Sequence, residues 1–290
     1  MATKLWRTFA CLLAATLAGQ ALAASPDAAR MARGKYLMEG ILACANCHGV
    51  RDEKGRIIPE KGMAGGFHIV EPWFDAHVPN ISNDPETGIG KWTDAQLGKA
   101  IREGVRPDGS IISPLMPVEY YRKLSDDDLA AVILYLRTQP VVKNAVPKST
   151  WKFPLPPSYG PPLTKVKTPS QGDKVAYGRY LVSIGHCMEC HTPRGPNGML
   201  DEARLGAGGQ SFHGPYGESV SRNLTPHEEG LKNWKDGEIA AVIRTGKDRQ
   251  GRPYRPPMAF DWYSTISDPD MAAIIAYLRT LKPVPNQAKP

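Results

Sequence analysis

Two short runs carry most of the chemistry available to this 290-residue chain: Cys44-Ala45-Asn46-Cys47-His48 and Cys187-Met188-Glu189-Cys190-His191. Thiols three positions apart lie about one helical turn apart, so both can bond to one bound group. The imidazole that follows the second thiol is a nitrogen donor for a metal held by that group. This C-x-x-C-H spacing is the attachment signature of c-type haem: each thiol adds to a vinyl group and the His supplies an axial nitrogen. The competing chemistries need other surroundings. A thioredoxin-like pair wants a βαβ pattern, which neither site has. Four thiolates could share a structural zinc, but zinc does not require a His at that position. The expectation is two covalently bound haem c groups. Cys44, Cys47, Cys187 and Cys190 are the thioether positions, and His48 and His191 are iron ligands.

The two motifs belong to an internal duplication with an offset of 143 residues. Asn80-Ile81-Ser82 then matches Asn223-Leu224-Thr225. After a one-residue shift, Trp92–Thr138 aligns with Trp234–Thr280 without a gap, and 19 of the 47 positions are identical. Chance would give about three. Within this stretch Met116 and Met258 are the one methionine pair that coincides. Each sits in a Pro-held loop before the last helix of its unit, Met116 lying 68 residues after His48 and Met258 67 after His191. They are the expected sixth ligands of the two irons; Met/His ligation favours Fe(II) and raises the potential. A lone methionine is usually core filler, and the paired position is what argues for ligation. His68 and His213, each after a Phe, are rival ligands that roughly correspond between units. His77, His186 and His227 have no counterpart.

The elements that must position these groups read as helices. One precedes each motif, over about 27–43 and 173–186. A second follows each Trp, over 93–103 and 235–245, with Thr93 as N-cap and Gly104 or Gly246 as stop. A third runs over 126–138 and 268–280, capped by Ser125 and Ser267, with Leu129, Val132, Ile133 and Leu136 spaced for one buried face. No alternating strands stand out. The fold class expected is all-α: two tandem domains, each a few helices and long Gly/Pro loops around a covalent haem. The boundaries are 1–23 as a signal peptide, 24–146 as the first domain, 147–170 as a stiff Pro-rich linker, and 171–290 as the second domain.

The remaining composition fits. There are 28 Gly and 27 Pro, in keeping with long loops, and hydrophobic residues make up 41%. Lys4 and Arg7, the apolar run Phe9–Leu17 and Ala21-Leu22-Ala23 form an export signal cleaved after Ala23, which also removes Cys11. Losing Lys4 and Arg7 lowers the net charge from +7 to +5. Residues 24–150 hold 16 basic and 16 acidic groups, whereas residues 151–290 hold 18 and 13. The second unit is therefore the expected docking side for an acidic partner. An exported protein of this kind is periplasmic, with no nucleic-acid partner.

Both C-x-x-C-H motifs, both Met loops and both Ala-Ala-x-Ile-x-Tyr-Leu-Arg-Thr-like terminal helices resemble the bacterial di-haem cytochromes c built from two class I-type domains. The run Asn80-Ile81-Ser82-Asn83-Asp84-Pro85-Glu86-Thr87-Gly88-Ile89-Gly90-x-Trp92 is similar to a segment of cytochrome c subunits serving membrane-bound periplasmic dehydrogenases. Those subunits usually carry three haems and a membrane-anchoring C-terminus; this chain has two motifs and a polar ending, Pro285–Pro290. The resemblance implies an electron carrier, not an enzyme, working by outer-sphere transfer between a donor dehydrogenase or quinol-linked system and a downstream acceptor. The partners implied are a dehydrogenase subunit and a terminal oxidase or soluble cytochrome, with membrane association only through partners or an uncleaved signal. The alternative is a di-haem peroxidase, which needs one haem with an open or switchable sixth position. The matched methionines oppose it, and a ligand switch stays open at this level.

Overall fold

The computed structural model describes residues 25–286 apart from Asn197 and Pro215. The expected signal segment and Cys11 lie outside the described residues. In chain order the first unit contains α1 (Pro26–Met38), α2 (Cys44–His48), β1 (His68–Glu71), β2 (Phe74–His77), α3 (Asp94–Glu103), α4 (Val118–Tyr121) and α5 (Asp126–Leu136). After β3 (Thr150–Trp151) the second unit repeats the order: α6 (Lys174–Ile184), α7 (Cys187–His191), β4 (Ser211–Gly214), β5 (Gly217–Val220), α8 (Asp236–Thr245), α9 (Phe260–Tyr263) and α10 (Asp268–Arg279).

The three helix pairs read from the sequence are present, with their ends adjusted. Thr93 caps α3 through a capping box with Gln96, and Ser125 and Ser267 accept the backbone N–H of Asp128 and Asp270 at the heads of α5 and α10. These side-chain acceptors satisfy helix N–H groups that would otherwise have no partner. Gly104 and Gly246 end α3 and α8 in the left-handed region. The first helix stops at Met38, not 43, because the chain turns over residues 39–43 before the first motif.

The all-α expectation is corrected by two antiparallel hairpins, β1–β2 and β4–β5. Their sequences show no apolar alternation: β1, β4 and β5 are largely exposed, and β2 is half-buried. Residues 147–170 are also more than a spacer. Thr150–Trp151 adds a third strand against β2. Further on, the Tyr159 hydroxyl donates to Ile112 O at 2.8 Å, Arg122 Nη2 donates to Pro161 O at 2.6 Å, and Asp126 N donates to Val166 O at 2.9 Å. The segment therefore straps itself along the first unit.

Within each unit the first and last helices cross at a glycine. A Cβ on Gly34 would stand 2.0 Å from Ala131 O, and one on Gly178 would stand 1.8 Å from Ala273 O. Only a residue without a side chain permits that backbone approach. Buried Leu37, Leu97, Val132 and Leu136 of the first unit and Leu181, Ile239, Met271 and Leu278 of the second belong to one continuous core. Arg137 and Arg279 tie the ends of α5 and α10 to Asp94 and Asp236, at 2.9 and 2.8 Å.

The units join through reciprocal contacts. The Tyr36 hydroxyl of α1 donates to Asp270 Oδ2 of α10 at 2.8 Å and accepts from Ser267 N at 3.2 Å. The Tyr180 hydroxyl of α6 donates to Asp128 Oδ2 of α5 at 2.6 Å and accepts from Ser125 N at 3.2 Å. Tyr36 and Tyr180 are matched residues, as are Asp128 and Asp270, so the interface has approximate two-fold symmetry. Arg33 pairs with Asp128 through two 2.8 Å bonds, reaches Asp270 at 3.9 Å, and donates to the Tyr177 hydroxyl at 3.4 Å. Among the described residues no helix is long and apolar enough to cross a membrane.

Gly34→Ala and Gly178→Ala are each expected to lower unfolding free energy by about 1–3 kcal/mol, since the new methyl overlaps a backbone carbonyl. Gly237→Ala, whose Cβ would meet nothing within 4 Å, should be neutral or stabilising by up to about 1 kcal/mol. Denaturant unfolding of the three variants checks the ordering. Tyr180→Phe should cost about 1.5–3 kcal/mol, the worth of a hydrogen bond to a charged group, and Tyr36→Phe less, because Tyr36 is the less buried. Burial pushes the Tyr36 hydroxyl from its ordinary 10.0 up to about 12. A group with a raised folded pKa stabilises fully below its unfolded value. The Tyr36 contribution should therefore be intact below pH 10 and vanish by about 12, read as a pH-dependent difference from Tyr36→Phe.

Candidate functional site

Each C-x-x-C-H run forms a single-turn helix that starts from a left-handed residue: Ala43 at φ 45°, ψ 42° before α2, and His186 at φ 43°, ψ 30° before α7. One turn sets the two thiols and the imidazole on a common short element, Cys44, Cys47 and His48 in one unit and Cys187, Cys190 and His191 in the other. Burial pushes the Cys44 thiol up to about 12, Cys187 to about 11 and Cys190 to about 12; Cys47 is raised by the same cause. All four are therefore thiols near neutral pH, in the absence of any bound group.

The two histidines are held alike. His48 Nδ1 bonds Pro79 O at 3.0 Å, and His191 Nδ1 bonds Arg222 O at 2.7 Å, each carbonyl 31 residues further along. A backbone acceptor on Nδ1 fixes the tautomer, so the proton resides there and Nε2 carries the lone pair. Burial lowers both imidazole pKa values, which favours the neutral ring that a metal requires.

The acceptor segments are themselves fastened. Asn80 Nδ2 donates to Val142 O at 2.8 Å while its Oδ1 accepts from Ser82 N at 2.8 Å. Asn223 does the same with Val284 O and Thr225 N, both at 2.8 Å. Gly65 N donates to His48 O at 2.9 Å and Gly208 N to His191 O at 2.8 Å. At both glycines φ is +70°, and a Cβ would stand 2.5 Å from the backbone of the acceptor segment. The carbonyls of Pro79 and Arg222 had no signal in the sequence beyond the repeated Asn that follows each of them.

Met116 and Met258 sit half-buried in matched loops. Met116 N donates to Ser113 O at 3.0 Å, and its carbonyl accepts from Val118 N at 2.7 Å. The Met258 carbonyl accepts from Phe260 N at 3.0 Å. The short helices α4 and α9 follow at once. They carry Tyr121 and Tyr263, whose hydroxyl pKa values are raised by burial and by the adjacent Cys44–Cys47 and Cys187–Cys190 pairs. Neither helix was read from the sequence.

The two motifs also approach one another. Tyr263 of the second unit feels Cys47 of the first, and Glu189 of α7 raises Cys47 further. The His186 ring lies 6.4 and 6.1 Å from the Tyr120 and Tyr121 rings. His68 and His213 are not equivalent: the strand registers align His68 with Ser211 and His77 with Val220. Trp92 packs against the core, and Trp234 lies under the Arg249 guanidinium at 4.2 Å.

A donor set of two thiols and a neutral imidazole with its Nδ1 already engaged, present twice, fits a covalently attached iron porphyrin. The chain matches the family described as Cytochrome c over residues 31–140 and 175–282. It is 32% identical over 300 residues, 97% of its length, to the cytochrome c subunit of a quinone alcohol dehydrogenase of Gluconobacter oxydans, and covers 61% of that protein. It is 31% identical over 274 residues to a fructose dehydrogenase cytochrome subunit of Gluconobacter japonicus, covering 89% of the chain and 54% of that relative. It is 33% identical over 249 residues to a diheme cytochrome c-type protein of Cereibacter sphaeroides, covering 81% of each. Family membership implies covalently bound haem c, and the duplicated geometry agrees: this chain belongs to the cytochrome c family, with two cytochrome c domains.

Proposed function

We propose that this chain is a periplasmic di-haem cytochrome that carries electrons, without catalysing a reaction of its own, from a dehydrogenase or quinol-linked donor to a downstream acceptor. The observation that carries the reading is the duplicated histidine, buried at His48 and half-buried at His191, each with Nδ1 on a backbone carbonyl. Haem c, when bound, supplies a reversible one-electron Fe(III)/Fe(II) couple. The chain's own residues hold it. Cys44 and Cys47, and Cys187 and Cys190, supply the thioethers. His48 and His191 offer Nε2 with the ring already oriented, so little rearrangement accompanies a change of oxidation state. Met116 and Met258 would supply the second donor to each iron, and buried Tyr121 and half-buried Tyr263 would shield the thioethers from water.

The dehydrogenase as donor rests on the relatives named as dehydrogenase subunits. A terminal oxidase or a soluble cytochrome is the acceptor this chemistry suits. Export rests on the leader-like residues 1–23. The peroxidase alternative requires a sixth position free to bind peroxide, and a methionine at the matched place in both units opposes it.

Haem content by pyridine haemochrome should be two per chain, and the oxidised protein should be low-spin with no peroxide reduction. Met116→Ala and Met258→Ala should each convert one haem to high spin and lower its potential, leaving the other unchanged. A wild-type protein with one high-spin haem at rest would sink the carrier reading. If the basic second unit docks an acidic partner, electron transfer should slow as salt rises from 10 to 200 mM; stopped-flow reduction by a dehydrogenase subunit measures it.

A further inference from the structure

We propose that the outer face of the first unit's hairpin binds one divalent transition-metal ion through His68, Asp75 and His77. The β register makes His68 and His77 direct cross-strand partners, and Asp75 lies two residues before His77. Residues two apart on a strand share a face, so all three side chains stand together. Both imidazoles aim Nε2 at the same carboxylate oxygen: Asp75 Oδ1 is 2.7 Å from His68 and 3.3 Å from His77. The two rings stack with centroids 4.1 Å apart and planes 5° apart. The three ligand atoms lie within 4.8 Å of one another. Tetrahedral zinc with N and O donors at about 2.0–2.2 Å sets neighbouring ligand atoms about 3.3–3.5 Å apart, a change that side-chain torsions can supply.

The backbone that carries two of the ligands is fixed from outside. β2 is paired on its far side with Thr150–Trp151, and His77 N donates to Ser149 Oγ at 2.9 Å. Two imidazole nitrogens and one carboxyl group form a donor set suited to Zn²⁺ or Cu²⁺. His68 and Asp75 are about half exposed, with relative exposures of 47% and 49%, so an ion can enter from solvent and water can complete its coordination. His48 and His191, the proposed iron ligands, are not among the three.

The duplication supplies an internal control. At the same offset of 143 the second hairpin carries Ser211, Glu218 and Val220 in the same register. There Ser211 Oγ donates to Glu218 Oε1 at 2.5 Å, and His213, the cross-strand partner of Glu218, is the one imidazole on that face, against two in the first hairpin. One site per chain is therefore expected, in the first unit only.

Titration of the full, cofactor-loaded chain with Zn²⁺ alone, followed by calorimetry, tests this. The expected result is one Zn²⁺ per chain, with affinity reduced at least about tenfold in His68→Ser and in His77→Val, the residues found at the matched positions. His213→Ala should bind like the parent. Unchanged haem absorption in all three variants reports intact folding. No Zn²⁺ uptake by the parent overturns the proposal. So does uptake that survives both His68→Ser and His77→Val, or uptake that His213→Ala alone abolishes.

Discussion

Two buried carboxylates, Asp128 and Asp270, are the points on which the arrangement of this molecule turns. Each stands in the first turn of the last helix of its unit, 4% and 5% exposed. Each accepts a phenolic O–H from the other unit. A carboxylate removed from water must be compensated by hydrogen bonds or an opposite charge, and here the compensation comes across the interface. Arg33 adds a bidentate pair with Asp128 and also reaches toward Asp270. Its matched residue is Tyr177, and a single guanidinium suffices where two would repel one another near the axis.

The position of the functional groups follows from that joint. α1 and α6 carry Tyr36 and Tyr180, and each leads within a few residues into a C-x-x-C-H turn. α5 and α10 carry the carboxylates, and each is preceded by a Met loop and a short aromatic helix. Fixing these four helices against one another brings the motifs near each other, so that Glu189 of the second unit raises the Cys47 thiol of the first and Cys47 raises the Tyr263 hydroxyl. The glycine crossings at Gly34 and Gly178 make this possible by letting the first and last helices of each unit lie backbone to backbone.

The long helices, their caps and the duplicated ligand residues were legible in the sequence because each leaves a local mark. Ser125 before Asp126 is a cap, Leu129 to Leu136 has helical period, and the cysteine spacing repeats. The hairpins left none, since His68–Glu71 is largely exposed, Phe74–His77 shows no apolar alternation, and both owe their pairing to backbone bonds. Nor could spacing reveal that Pro79 and Arg222 orient the histidines, because a carbonyl is present in every residue and only the fold selects one. The segment 147–170 reads as a stiff connector from its prolines. Its role as a third strand and a strap depends on Trp151, Tyr159 and Arg122 meeting partners far away in sequence.

The reciprocal tyrosine contacts have the isologous form of a homodimer interface, in which residue i of one copy meets j of the other and j meets i. Covalent linkage makes that association intramolecular, so it is independent of dilution. It also removes the requirement that the two copies remain identical. A homodimer would be obliged to carry the same residue twice at every matched position. The tandem chain places arginine opposite tyrosine on its axis and gives one hairpin histidines where the other has serine and valine.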